Sequence, residues 1–212
     1  EFAELICGFR IAMRDLEIRG AGNLLGGEES GHLIDVGYDM YLKLLEEAVL
    51  EEKGEKPVNR ASSTADLAVS ANIPESYVAS TEQRMDLYRR IALIRTEADA
   101  DDVLDELIDR FGEPPDAVTA LVRVALLRGE AGRAGITDIS QKAGALRFTL
   151  SVFDMRRVSE LYARPEFKGR LRVEAGSVPR ISLKLPPKSR VLDEASRFAA
   201  AWAETDKYSK ED

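Results

Sequence analysis

Apolar residues recur at helical spacing over some stretches of this chain and at strand spacing over others, and the change of period marks its organisation. Ile34 to Lys53 carries Tyr38, Tyr41, Leu42, Leu45 and Val49 on one helical face, with Glu46, Glu47, Glu51 and Glu52 on the others. Gly54 is a stop signal, and residues 55–64 hold Pro57, Asn59, Ser62 and Ser63 without an apolar period, which predicts a linker. A second unit begins near Ala65. Leu67, Val69 and Ala71 alternate with polar neighbours and predict a short extended segment ending before Pro74. Ser80 or Thr81 caps a helix to about Thr96, with Met85, Tyr88, Ile91, Ala92 and Arg95 in register. The next helix, from about Asp99 to Phe111, has the stripe Val103, Leu104, Leu107, Ile108 and Phe111, and Gly112 ends it. Pro114-Pro115 starts a further helix to about Arg128. Its apolar positions (Val118, Leu121, Val122, Ala125, Leu126) cover so much of its surface that it is expected to be a buried spine.

From Gly135 the period becomes two. Ile136 to Ile139, Leu146 to Val152, Leu171 to Val173 and Ile181 to Leu185 read as four short strands. Leu146, Phe148 and Leu150 alternate with Arg147 and Thr149, as in a sheet with one buried face. Met155 to Tyr162 and Val191 to Trp202 supply two more helices, and the chain closes on the polar stretch Asp206 to Asp212. Helices followed by a small mixed sheet with packed helices define an α+β class. The expected organisation is a hairpin, loop and linking helix over 1–54, a linker over 55–64, and a helix-rich α+β domain over 65–212.

A chain of 212 residues, 44% of them hydrophobic, accommodates one large or two small domains with a packed core. The net charge of −8 argues against a free-standing nucleic-acid binder, so contact with DNA must be local or shared with a neighbour. Cys7 is the single cysteine and His32 the single histidine, which excludes an intrachain disulfide and a zinc ligand set. No apolar run is long enough to span a bilayer, and Glu1-Phe2-Ala3-Glu4 lacks signal-peptide character, so a cytoplasmic location is expected. The beginning reads as a helix cut open, the mark of a fragment.

Two stretches carry candidate chemistry. Gly8 to Gly31 joins a short apolar-striped helix to a loop holding Gly20, Gly22, Gly26, Gly27 and Gly31, with Arg10, Arg14 and Arg19 spread along it. Such glycine density implies positive φ or a close backbone approach, and arginine grips phosphate or carboxylate in a forked geometry. The residues also allow a salt-bridged hairpin with an ordinary loop. No GxxxxGK[ST] occurs, so the chain has no phosphate-binding loop of its own and no enzyme activity is expected of it in isolation. The second stretch is the acidic helix with Asp101, Asp102, Asp105, Glu106 and Asp109. Glu106 and Asp109 are three apart and predicted to share a face with Asp102 and Asp105 alongside. It reads as a solvated face, as an acidic docking surface for a basic partner, or as a metal-binding carboxylate cluster.

The string RDLEIRGAGNLLG followed by ESG resembles the motif after the helicase core in transcription-repair coupling factors and in RecG-type branched-DNA helicases. The resemblance implies a helical hairpin plus loop that links ATP-driven lobe closure to movement along duplex DNA. By that resemblance Arg10, Arg14, Arg19, Gly20 and Gly22 are the coupling residues, Arg19 leading. Glu29 stands where those families usually have glutamine, and a carboxylate there would repel phosphate.

RMDLYRRIA and then ELIDRFG followed by PP, within Gln83 to Gly112, resemble the carboxy-terminal domain of the coupling factors, which RecG-type helicases lack. The resemblance implies an autoinhibitory domain that folds back on an amino-terminal UvrB-like module. There it masks the surface recruiting UvrA until the motor meets stalled RNA polymerase. Glu106, Asp109 and Arg110 match the contacts of that clamp. ATP and magnesium would be held by motor domains outside this chain, with no cofactor or metal in the chain itself, and the protein is expected to be monomeric. The alternatives are a fragment of a RecG-type helicase and a stand-alone protein-interaction module without DNA contact.

Overall fold

The structure, a computed structural model, describes residues 63–174 and 176–206. The hairpin, the glycine-rich loop and the Ile34–Lys53 helix, with Cys7, Arg10, Arg14, Arg19, Gly20, Gly22, Glu29 and His32, lie outside the described residues.

Three helices follow a short first strand, Thr64–Asp66. Helix α1 spans Thr81–Ala92, capped by the Ser80 hydroxyl, which accepts from the Gln83 amide. It ends four residues before the predicted Thr96, because Thr96 caps the next helix instead. Helix α2 spans Glu97–Phe111 and opens with a capping box. The Thr96 hydroxyl accepts from the Asp99 amide, and the Asp99 carboxylate accepts from the Thr96 and Arg95 amides. Helix α3 spans Asp116–Arg133 behind Pro115, five residues longer than predicted. Gly129, just past the expected end near Arg128, lies mid-helix where α3 passes the connection between α1 and α2. A β-carbon there would sit 2.8 Å from Arg95 Cα. Only glycine lets the backbones come that close.

The sheet has five strands in the order β1-β2-β3-β5-β4. They are β1 (Thr64–Asp66), β2 (Ile136–Lys142), β3 (Ala145–Leu150), β4 (Leu171–Glu174) and β5 (Arg180–Lys184). Four strands were expected. The fifth, β1, pairs parallel with β2 at the edge and begins at Thr64, inside the stretch read as linker. The Leu67–Ala71 alternation expected to be extended lies just beyond it. The other neighbours are antiparallel, and β2 turns into β3 through Ala143 and Gly144, both at positive φ as a two-residue hairpin requires. A bulge in β2 between Ile136 and Asp138 puts Ile136 and Ile139 on the same buried face. Helix α4 (Met155–Ala163) and a 3₁₀ turn (Pro165–Phe167) join β3 to β4, and α5 (Val191–Thr205) follows β5. The α+β class is as expected.

Two apolar clusters meet along α3. Toward the sheet, α3 contributes Val124, Leu127 and Ala131 to a core with Ile139, Phe148, Ile181, Phe198 and Trp202, where Phe148 stacks on Phe198 at 3.8 Å. Toward α1 and α2 it contributes Val118, Leu121, Val122 and Ala125 to a core with Tyr88, Ile91, Val103 and Leu107. The predicted spine is therefore shared by both cores. The Arg128 guanidinium, buried, donates its Nε–H to the Ser63 carbonyl at 3.1 Å and ties α3 to the start of β1. Trp202 donates its indole N–H to the Ala134 carbonyl at 3.1 Å, with the Arg157 guanidinium 4.1 Å above its ring.

Candidate functional site

Helix α2 sorts its side chains by a period of 3.6. Ala100, Val103 and Leu107 are buried against α1 and α3, while Asp101, Asp102, Asp105 and Asp109 face outward. Ile108, read as part of the buried stripe, is 46% exposed among these carboxylates. It sits one position beyond Leu107, a turn of about 100°, which carries it off the core and onto the outer ridge.

Glu106 departs from the expected acidic face. Its side chain turns toward α1, where one carboxylate oxygen is paired with Arg90 and the other accepts from Arg110 Nη1 at 2.6 Å. Arg90 lies on a different helix, so no spacing along the sequence signals this pairing. The Glu106 carboxylate is thus engaged between two arginines and ties α1 to α2. Asp109, on the other side of the ridge, has no cation within ion-pair distance among the described residues. The outward acids are Asp101, Asp102, Asp105 and Asp109, with Glu106 set to one side.

The carboxy-terminal end of α2 is fixed by aromatic packing. Arg110 lies 4.9 Å over the Phe111 ring, and Phe111 packs at 6.0 Å against Tyr77. The Tyr77 hydroxyl is shared between the Leu107 carbonyl, at 3.2 Å, and the Gly112 carbonyl just past the helix, at 2.8 Å. Burial, and then the nearby Glu113 carboxylate, hold the Tyr77 hydroxyl above the usual phenol range. At the other end, amide donors from Arg95 and Thr96 hold Asp99 below the usual carboxylate range. Arg110 therefore sits on a rigid rim, bridging Glu106 and covering Phe111.

Among the described residues, no group of three or more His, Cys, Asp or Glu side chains could hold a metal ion. No described helix is long and apolar enough to cross a membrane.

The fold is that of a solved structure described as the C-terminal domain of transcription-repair coupling factor. The likeness covers 72% of this chain and 99% of that one, with a TM-score of 0.62 at 20% identity. Residues 67–159 match the TRCF domain family, a stretch that contains α1, α2, α3 and the β2–β3 hairpin. Curated relatives named transcription-repair-coupling factor are similar over more of the chain. That of Bacillus subtilis (strain 168) is 41% identical over 152 residues, 71% of this chain and 13% of the relative. That of Myxococcus xanthus is 45% identical over 127 residues, 60% of this chain and 11% of the relative. That of Staphylococcus aureus (strain USA300) is 41% identical over 154 residues, 72% and 13%. The fold and these matches define an α+β TRCF domain. The chain belongs to the transcription-repair coupling factor family, and it spans about an eighth of the length of the relatives it matches.

Proposed function

We propose that this chain is the carboxy-terminal part of an ATP-dependent DNA translocase that removes stalled RNA polymerase and recruits nucleotide-excision repair. Arg10, Arg14, Arg19, Gly20 and Gly22 couple ATP hydrolysis, carried out by motor domains outside the chain, to movement on duplex DNA. The α+β domain restrains the machine by docking on the amino-terminal UvrB-like module of the same protein and masking its UvrA-binding surface. The family relationship supports the first part. The observation that carries the second is the outward ridge of α2, where Asp101, Asp105 and Asp109 surround the exposed Ile108. An apolar knob ringed by carboxylates that have no ion pair among the described residues suits a basic, partly apolar partner, and complementary charge sets specificity and encounter rate. Glu106 supports the ridge from behind, since its two arginine partners fix α2 against α1.

In the full-length parent, Asp105→Arg with Asp109→Arg leaves the Glu106 pairs intact while reversing the outer charge. UvrA affinity and basal ATPase should then rise several-fold. Unchanged UvrA binding by a folded double variant would overturn the docking role.

A further inference from the structure

The sheet's second face carries a feature that the docking ridge leaves unused. The helices bury their apolar stripes against Ile139, Leu146, Phe148, Ile181 and Leu183. The alternate positions point the other way, and the strand register lines them up. Thr149 stands opposite Arg180, and Arg180 opposite Glu174; Arg147 stands opposite Ser182, and Ser182 opposite Arg172. Lys184 stands opposite Ala145 on the same face. Over β3, β5 and β4 this face holds four cations, Arg147, Arg172, Arg180 and Lys184, against one carboxylate, Glu174. On the adjoining strands the same face carries Asp138 of β2, opposite Thr149 and accepting from the Thr64 hydroxyl, and Asp66 of the edge strand β1, together with Lys142.

These cations differ from most arginines of the domain. Nine arginines elsewhere among the described residues are held in ion pairs with carboxylates. Among the described residues none of the four on the sheet face has such a pair, and the Arg147 Nε is closed off from solvent without a hydrogen-bond partner there. What lies between them narrows the ligand. Protein partners are gripped through aromatic and apolar anchors, and these strand positions offer only Ser182, Thr149 and Ala145. Single-stranded nucleic acid is held by bases stacked on aromatic rings, and this face has none. Arginine and hydroxyl groups without anchors are the chemistry that contacts the phosphates of a duplex, where most hydrogen bonds go to the backbone.

We propose that the Arg147, Arg172, Arg180 and Lys184 face of the sheet binds the phosphate backbone of duplex DNA without reading its sequence. It is a second contact, separate from the glycine-rich loop and independent of the docking ridge. The test uses the full 212-residue chain and a fluorescent random-sequence duplex, with affinity measured by anisotropy across a potassium chloride series. The variant Arg172→Gln/Arg180→Gln replaces two polar side chains by polar ones, and circular dichroism checks its fold. Two lost phosphate contacts lower the slope of log affinity against log salt by about 1.8, at about 0.9 each. The control Arg89→Gln/Arg133→Gln removes the same charge from helices α1 and α3 and leaves the slope unchanged. An unaltered slope in the sheet variant, an equal loss in the control, or no duplex binding by the parent chain at low salt would each overturn the proposal. So would a variant that keeps DNA binding but loses a poly-glutamate peptide, which would assign the face to an acidic protein.

Discussion

Replacing Gly129 by alanine sets two effects of opposite sign against each other. In an exposed helix, alanine is favoured over glycine by about 0.8–1 kcal/mol. At Gly129 the added carbon would lie 2.8 Å from Arg95 Cα, 3.1 Å from Arg95 O and 3.2 Å from Ile94 O. All three are backbone atoms, and the segment that carries them is pinned. Ile94 N–H donates to Ile91 O at 3.1 Å, Arg95 N–H donates to Asp99 at 2.9 Å, and Ile94 O accepts from Arg95 Nη1 at 2.7 Å. The only relief is for α3 to back away, which loosens both cores because α3 serves both. Overpacking of this kind costs about 1–3 kcal/mol. The clash outweighs propensity, and Gly129→Ala should destabilise the domain by about 1–2 kcal/mol. For a unit of this size that lowers the melting temperature by roughly 2–8 °C, at about 2–4 °C per kcal/mol. Urea unfolding followed by far-ultraviolet circular dichroism reads the difference. A variant as stable as the parent, or more so, would show that the connection yields and that the close packing argument is wrong.

Further tests separate the parts of the α2 region. Asp99→Ala removes the capping box and should cost about 1 kcal/mol at neutral pH. The folded-state pKa of Asp99 lies below its unfolded value, so its contribution is present above about pH 4 and fades as pH falls through the folded value. The difference from the parent should therefore shrink in acid. Glu130 runs the other way: burial, the largest cause, raises its pKa against the pull of Arg133, with Glu97 adding to the rise. Its contribution is complete below about pH 4 and lost as pH rises through the folded value, so Glu130→Gln should stabilise at pH 7 and match the parent near pH 4. A pH-independent gain would sink that account. Glu106→Gln should cost about 1–2 kcal/mol and lose most of that cost at high salt, whereas Asp109→Asn should change stability by less than about 0.5 kcal/mol. Equal effects would contradict the division between the engaged and the outward carboxylate. In the full-length parent, Arg19→Ala should leave ATP hydrolysis largely intact and abolish displacement of stalled polymerase, and normal displacement would end the coupling role.

Periodicity located every described helix and four of the strands, because each buries a face whose spacing is local information. What it lacked was whatever depends on a distant partner. The strand β1 is three residues long and is defined by its pairing with residues some seventy positions later, such as Thr64 with Asp138. A glycine inside α3 at 129 is explained by the approach of Arg95, which no window around Gly129 contains. On the acidic ridge of α2, charge and spacing identified Asp101, Asp102, Asp105 and Asp109. They misplaced Ile108, because an apolar residue at the margin of a stripe carries no mark of which side it takes. They could not reveal that Arg90 engages Glu106 from another helix. The basic sheet face was half visible, in the alternation of Arg147 and Thr149, but its width depends on the strand order β3-β5-β4.

The place where the chain joins the sheet has a mechanical consequence. A pull arriving from the amino-terminal side meets first the Arg128 guanidinium clasping the Ser63 carbonyl, and then a three-residue edge strand. Behind that clasp stands α3, the beam common to both cores. Tension along the backbone is therefore delivered to the middle of the domain, and slack there begins with the peeling of a single short ribbon.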